Sequence, residues 1–296
     1  MAKAPRSLAG QVVAITGAAR GIGRATASAL IAQGARIAIG DIDAALVTRT
    51  AEELGAGTVG LPLDVTSRSS FDTFLREVED RLGPLDVLIN NAGIMPIGSF
   101  AEESDATAKR MVDINLHGVI YGSKLALERF LPRQRGHIVQ IASMAGKAGI
   151  AHGATYCATK HAVVGLSESL RAELRDSGID ISVVMPMVVN TELGSGLPET
   201  RGVKPQEPED VAAAIVEALQ TGRFDVYCPK SAGGLVRLNA MLPRRAMEAV
   251  GKALKGDEVL AKPDRAARAA YEARMIETIA PAEADVHEAE RETQSV

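Results

Sequence analysis

Two patterns of apolar residues alternate along most of the chain: short unbroken runs, and longer stretches whose apolar positions recur every three or four residues. The runs at 11–16 (QVVAIT), 36–40 (RIAIG), 57–63, 87–89, 137–141 (HIVQI), 179–184 (IDISVV) and 224–227 predict seven strands. Between them, 23–33, 44–54, 69–82, 105–130, 155–176 and 209–219 predict helices. In 69–82, for example, Phe71, Phe74, Leu75 and Val78 share one helical face. Strands apolar on every residue, not on alternate ones, are buried on both faces, and strands separated by helices form right-handed crossovers. The fold class expected is therefore α/β, a doubly wound parallel seven-stranded sheet. Such sheets hold ligands at the carboxyl ends of their strands, so functional residues are sought just after each run.

The rhythm stops near Pro229, which predicts a main domain over residues 1–229 and a helical C-terminal extension over 230–280, a lid or an interface. Within it, 235–254 is amphipathic, with Leu238, Met241, Leu242, Met247 and Val250 on one side and an interruption at Pro243. This stretch suits a cap on the pocket, a partner subunit or a membrane surface, for which Arg237, Arg244, Arg245 and Lys252 speak; a solvated charged face is the plainer reading. A charged helix is predicted over 264–278. Residues 281–296 are acidic with few large apolar groups and are expected to be disordered.

Composition narrows the class. Of 296 residues, 46% are hydrophobic, 3% aromatic and none is Trp, so the core is built from Ala, Val, Ile and Leu. A net charge of −4 with dispersed Lys and Arg excludes a nucleic-acid face. Five His in no ligand-like spacing give no basis for a metal, and Cys157 and Cys228 form no CxxC. With no leader-like or membrane-spanning run, the expected location is the cytoplasm.

The first strand runs into Thr16-Gly17-Ala18-Ala19-Arg20-Gly21-Ile22-Gly23 and then a helix. Glycines between a strand and a helix N-terminus let backbone approach a pyrophosphate, although such a turn by itself also ends strands for structural reasons. At the end of the second strand, 18 residues beyond Gly23, stands Asp41. A carboxylate there accepts hydrogen bonds from ribose hydroxyls and repels the 2′-phosphate of NADP; the competing role is a helix N-cap. Arg20 argues for NADP, but the carboxylate is the more direct penalty, so NAD is the expected cofactor and NADP the alternative. Asp64-Val65 after the third strand suits an adenine amino group, and the small residues of Asn90-Asn91-Ala92-Gly93 after the fourth allow close contact with the cofactor.

After the fifth strand comes Ser143, and 13 residues later Tyr156, with Lys160 at i+4 on one helix face. A phenol of pKa about 10 is a poor base at neutral pH, and a nearby ammonium lowers that value. Ser143 is placed to hold a substrate oxygen while Tyr156 exchanges its proton. Alone, Tyr and Lys at this spacing are common on helix surfaces.

TGAARGIG, Asp41, LDV at 63–65, NNAG at 90–93, Asn115, Ser143 and Tyr156-Cys157-Ala158-Thr159-Lys160 together resemble the short-chain dehydrogenase/reductase family, over Leu8 to Tyr227, about three-quarters of the chain. The resemblance implies a Rossmann-fold, homodimeric or homotetrameric oxidoreductase with a tetrad of Asn115, Ser143, Tyr156 and Lys160. In that reading Tyr156 is the acid/base, Ser143 orients the carbonyl or alcohol, Lys160 binds the nicotinamide ribose, and Asn115 holds a relay water. Cofactor contacts would come from Gly17, Arg20, Gly21, Ile22, Gly23, Asp41, Ile42, Asp64, Val65, Asn91, Ala92, Gly93, Tyr156, Lys160, Pro186, Val189 and Thr191. One departure is Pro186-Met187, where the family usually has Pro-Gly; the loop 192–208 is the expected lid.

Met95, Ile97, Ala145, Ile150, Met187 and Val188 are the expected substrate walls. They offer no charge clamp, which favours a hydrophobic alcohol or ketone over a phosphorylated or carboxylated substrate. The competing functions are a nucleotide-binding scaffold without turnover, and dehydration or epimerisation on the same tetrad.

Overall fold

The computed structural model describes residues 4–198, 204–243, 245–246, 249, 259–261 and 263–275. Seven strands form one parallel sheet in the order β3-β2-β1-β4-β5-β6-β7. They are β1 (Val12–Thr16), β2 (Arg36–Asp41), β3 (Val59–Pro62), β4 (Val87–Asn90), β5 (Gly136–Ile141), β6 (Ile179–Pro186) and β7 (Asp225–Cys228). The doubly wound parallel sheet expected from the alternation, and the Rossmann fold that the resemblance implied, are present. Winding runs outward from β1 to β3, then restarts on its other side at β4, so the switch point lies between β1 and β4.

Helices cover both faces. α1 (Gly21–Ala32), α2 (Ala44–Leu54) and α7 (Pro208–Thr221) bury Ala27, Leu30, Val47 and Ile215 against one face. α3 (Arg68–Leu82), α4 (Asp105–Val112), α5 (Gly118–Phe130) and α6 (Ala154–Glu173) bury Phe71, Phe74, Met111, Phe130 and Val163 against the other. Their starts follow from local chemistry. Asp43, Ser67 and Ser104 accept from Leu46 N, Ser70 N and Thr107 N, and Glu207 with Asp210 forms a reciprocal capping box.

Residues 105–130, expected as one helix, are continuous but carry a π turn at Asp113–His117. Asn115, within that turn, is completely buried. α8 (Ala232–Met241) stops just before Pro243, where the proline ring disfavours helix at the residue preceding it. A further helix spans 265–275, within the 264–278 expected. Most of the predicted stretch beyond Pro243 and all of 281–296 lie outside the described residues. No helix among the described residues is long and apolar enough to cross a membrane.

On β5, His137 is buried with Nε2 2.8 Å from Ser182 Oγ, whose own proton goes to Arg223 O at 2.6 Å. His137 therefore donates through Nε2. Burial pushes its pKa down to about 4; Asp180 opposes this and Arg6 reinforces it. Between pH 6.5 and 4 the unfolded chain takes up a proton at this site that the native state refuses, so this group's contribution to stability is lost as pH falls through that window. Urea midpoints at pH 7 and pH 5 are expected to fall more for the wild type than for His137→Gln.

Candidate active site

The turn between β1 and α1 is shaped by two glycines. Gly17 has φ +62°, and a Cβ there would lie 2.7 Å from Ala92 Cα. A Cβ on Gly23 would meet Ala18 Cα and Asn91 Nδ2, each at 2.7 Å. The turn is thus pressed against the end of β4. No side chain caps α1, whose N-cap Arg20 is extended, so its first-turn N–H groups remain available to an anion. Asn91 pins the arrangement by donating both amide protons, to Thr16 O and Gly17 O at 2.9 Å each. Thr16 Oγ1 accepts from Asn91 N and Ala92 N at 3.0 Å. The Asn91 amide is therefore committed to the turn, a use the motif alone did not disclose.

Asp41 ends β2, and its oxygens accept from Ala19 N and Asp43 N at 3.2 Å. It is not the cap of α2; Asp43 is, which removes the competing role weighed for Asp41. Arg20 is held between Asp43 (3.2 Å) and Glu192 (3.1 Å). Asp64 accepts from Thr66 N and Thr66 Oγ1 through one oxygen. Val65 turns its side chain into the core, where it packs on Gly118, so only its backbone faces the strand ends. Ile42, beside Asp41, is 63% exposed.

At the ends of β4 and β5 the chemical groups converge. Ser143 caps a 3-10 turn at Met144–Gly146, its Oγ accepting from Ala145 N at 3.1 Å. Its hydroxyl also stands beside the Tyr156 phenol and favours the phenolate. Lys160 Nζ donates to Ile141 O at 3.0 Å and lies 5.6 Å from the centre of the Tyr156 ring. The Asn115 amide is fully engaged: Oδ1 accepts from Ile94 N at 2.8 Å, and Nδ2 donates to Ile94 O at 2.9 Å and Thr159 Oγ1 at 3.2 Å. No amide proton of Asn115 is left for a relay water.

Burial dominates the charges. It pushes Tyr156 well above the usual phenol value, against the pull of Ser143, with Tyr271 and Cys157 adding to the rise. Burial also pushes Lys160 down to about 8. Burial thus works against the lowering that the sequence led us to expect from the ammonium.

The substrate side is closed by parts of the chain that the motifs do not touch. Met95 and Ala145 are buried, Ile97, Ile150 and Val188 are half-buried around the same cluster, and Met187 is half-buried. Met187 N extends the sheet by bonding to Cys228 O at 2.9 Å, and Pro186 and Val189 pack inward. Thr191 Cγ2 would lie 3.4 Å from a Cβ on Gly21, which brings the strand-six loop to the glycine turn. The 265–275 helix docks here too. Arg268 donates to Leu193 O, Ser195 O and Met95 O at 2.9, 3.1 and 2.7 Å, and the Tyr271 hydroxyl accepts from Met95 N at 2.7 Å. An Arg and a Tyr three apart in a charged helix carry no sequence signal that would separate them from solvated neighbours.

Comparison with known proteins agrees with this architecture. The family described as short chain dehydrogenase matches residues 11–202. Galactitol 2-dehydrogenase of Agrobacterium fabrum is 36% identical over 72% of this chain and 84% of its own length. 17-beta-hydroxysteroid dehydrogenase 13 of Rattus norvegicus is 30% identical over 83% of this chain and 84% of its own. A crystal structure of a short-chain dehydrogenase/reductase from Burkholderia phymatum in complex with NAD superposes with a TM-score of 0.73, at 27% identity, covering 79% of this chain and 94% of that one. The strand-end chemistry, the order of the sheet and these relatives lead to one assignment: the chain belongs to the short-chain dehydrogenase family and is an oxidoreductase of that family.

Proposed function

We propose that the protein transfers hydride between NAD(H) and a secondary alcohol or ketone with an apolar body, with Tyr156 as the acid/base. The observation that carries this reading is the buried Tyr156 hydroxyl between Ser143 and Lys160, at the ends of strands adjoining the glycine cradle. The cradle fits a dinucleotide: Gly17 and Gly23 admit no Cβ, the α1 N-terminus is uncapped, and exposed Ile42 offers an apolar surface to an adenine ring. When bound, the nicotinamide supplies the hydride acceptor or donor. Ser143 then orients the substrate oxygen, and Tyr156 gives that oxygen its proton in reduction or takes it in oxidation. Lys160, protonated below about pH 8, offsets the cost of the phenolate in the reverse direction.

The apolar walls favour a hydrophobic substrate body, and the steroid-named relative is consistent with one. NAD is favoured because Asp41 ends β2 and is not a cap, and because Arg20 is occupied by Asp43 and Glu192. A panel of alcohols and ketones assayed at the nicotinamide absorbance band with both cofactors tests the reading. The wild type is expected to prefer NAD(H), and Asp41→Ala to lower the NAD(H)-to-NADP(H) ratio of kcat/KM by roughly tenfold or more, the loss of about one charge-assisted contact and one repulsion. Unchanged selectivity in Asp41→Ala would remove Asp41 from cofactor choice.

A further inference from the structure

The helix over 265–275 is bound to the site far more tightly than a connector would be. Arg268 is fully buried, stacks 4.7 Å over the Tyr271 ring, and reaches three carbonyls on two different loops. Ser195 Oγ donates to Ala267 O at 2.7 Å, and Asp264 N donates to Gly196 O at 2.7 Å. Glu192 pairs with both Arg20 and Arg274, linking the glycine turn to this helix. Just ahead of it, buried Leu260 fills the space where a Cβ on Gly153 would stand, next to the first turn of α6 that carries Tyr156.

This anchoring fixes Tyr271 in the apolar cluster that holds Tyr156, Cys157, Ala145 and Met95. Tyr271 is close enough to oppose ionisation of Tyr156, and burial pushes Tyr271 itself up to about 12. Tyr271 therefore keeps its proton throughout the working range. Its oxygen accepts from Met95 N, but among the described residues its O–H meets no acceptor. A buried phenol with an uncommitted donor beside a reacting centre is a recognition group awaiting an oxygen.

We infer that the Tyr271 hydroxyl is a substrate-contacting specificity determinant, selecting apolar ketones or alcohols that carry a second oxygen a few atoms from the reacting carbon. The inference deepens the reading of Tyr156 as acid/base and rests on it. Met95 N–H orients the phenol oxygen, and the phenol proton is left to bond the hydroxyl or carbonyl of the substrate. A substrate lacking that oxygen leaves the donor unpaired on closure, a penalty that large discrimination ratios require.

The test uses the full chain with NADH and three ketones: cyclohexanone, 2-hydroxycyclohexanone and 4-hydroxycyclohexanone. In the wild type, at least one hydroxyketone is expected to exceed cyclohexanone in kcat/KM by roughly tenfold or more. Tyr271→Phe is expected to abolish that preference, mainly through KM, with a much smaller change for cyclohexanone than for the preferred hydroxyketone. A preference unchanged in Tyr271→Phe overturns the inference, as does an equal loss on all three ketones, which marks a packing role. A wild type that favours cyclohexanone overturns it without recourse to any variant. These three outcomes leave Tyr156 untouched; turnover that persists in Tyr156→Phe overturns the parent reading as well.

Discussion

Tyr156→Phe is expected to lower turnover by about 10²- to 10⁴-fold, the range that a positioned acid/base contributes, with NADH still bound. The ring is buried in the core cluster, so Phe keeps its packing and loses only the hydroxyl. Ser143 can still hold the substrate oxygen, and Lys160 keeps its bond to Ile141 O, so binding of both partners survives. What is lost is the proton's donor or acceptor, since Lys160 stands 5.6 Å from the centre of the ring and is bonded to Ile141 O. Steady-state kinetics checks the turnover, and nicotinamide fluorescence checks the binding.

Arg268→Met is expected to have the largest structural effect of any single change in the extension. Arg268 is the largest fully buried side chain among the described residues, and its guanidinium is the shared partner of Leu193 O, Ser195 O and Met95 O. Methionine retains the stem but offers no donor. Each buried acceptor left unpaired costs about 1–3 kcal/mol, and some rehydrate as the loop opens, so a net loss of about 3 kcal/mol or more is expected. Burial lowers the Arg268 pKa, with Tyr271 and Glu272 opposing this. Lysine cannot reproduce the fork, so Arg268→Lys should recover only part of the loss. Differential scanning calorimetry and tryptic cleavage after Arg201 read the effect. Unchanged Tm and cleavage in Arg268→Met would show that the guanidinium does not hold these loops.

The fold was legible because the strands are unbroken apolar runs separated by helical periods, a pattern that only a covered parallel sheet satisfies. The glycine turn, Asp41, Ser143, Tyr156 and Lys160 were legible as residues because each follows a strand or shares a helix face. Their energetics were not. The burial that lifts Tyr156 and depresses Lys160 arises from packing by α6, the β4 loop and the 265–275 helix, which no local spacing encodes. The π turn at Asp113–His117 was invisible for a related reason: its sequence is ordinary helix, and the bulge exists because Asn115 finds Ile94 and Thr159 across the site. The roles of Asn91, Arg268 and Tyr271 likewise depend on contacts made far away in sequence.

The measurement closest to the central claim is single-turnover absorbance at the nicotinamide band, with enzyme, limiting NADH and a saturating ketone that the wild type reduces. The expected result is a rapid NADH loss in the wild type, and in Tyr156→Phe a bound cofactor whose absorbance decays orders of magnitude more slowly. Equal decay in the two proteins would contradict the assignment of proton transfer to Tyr156.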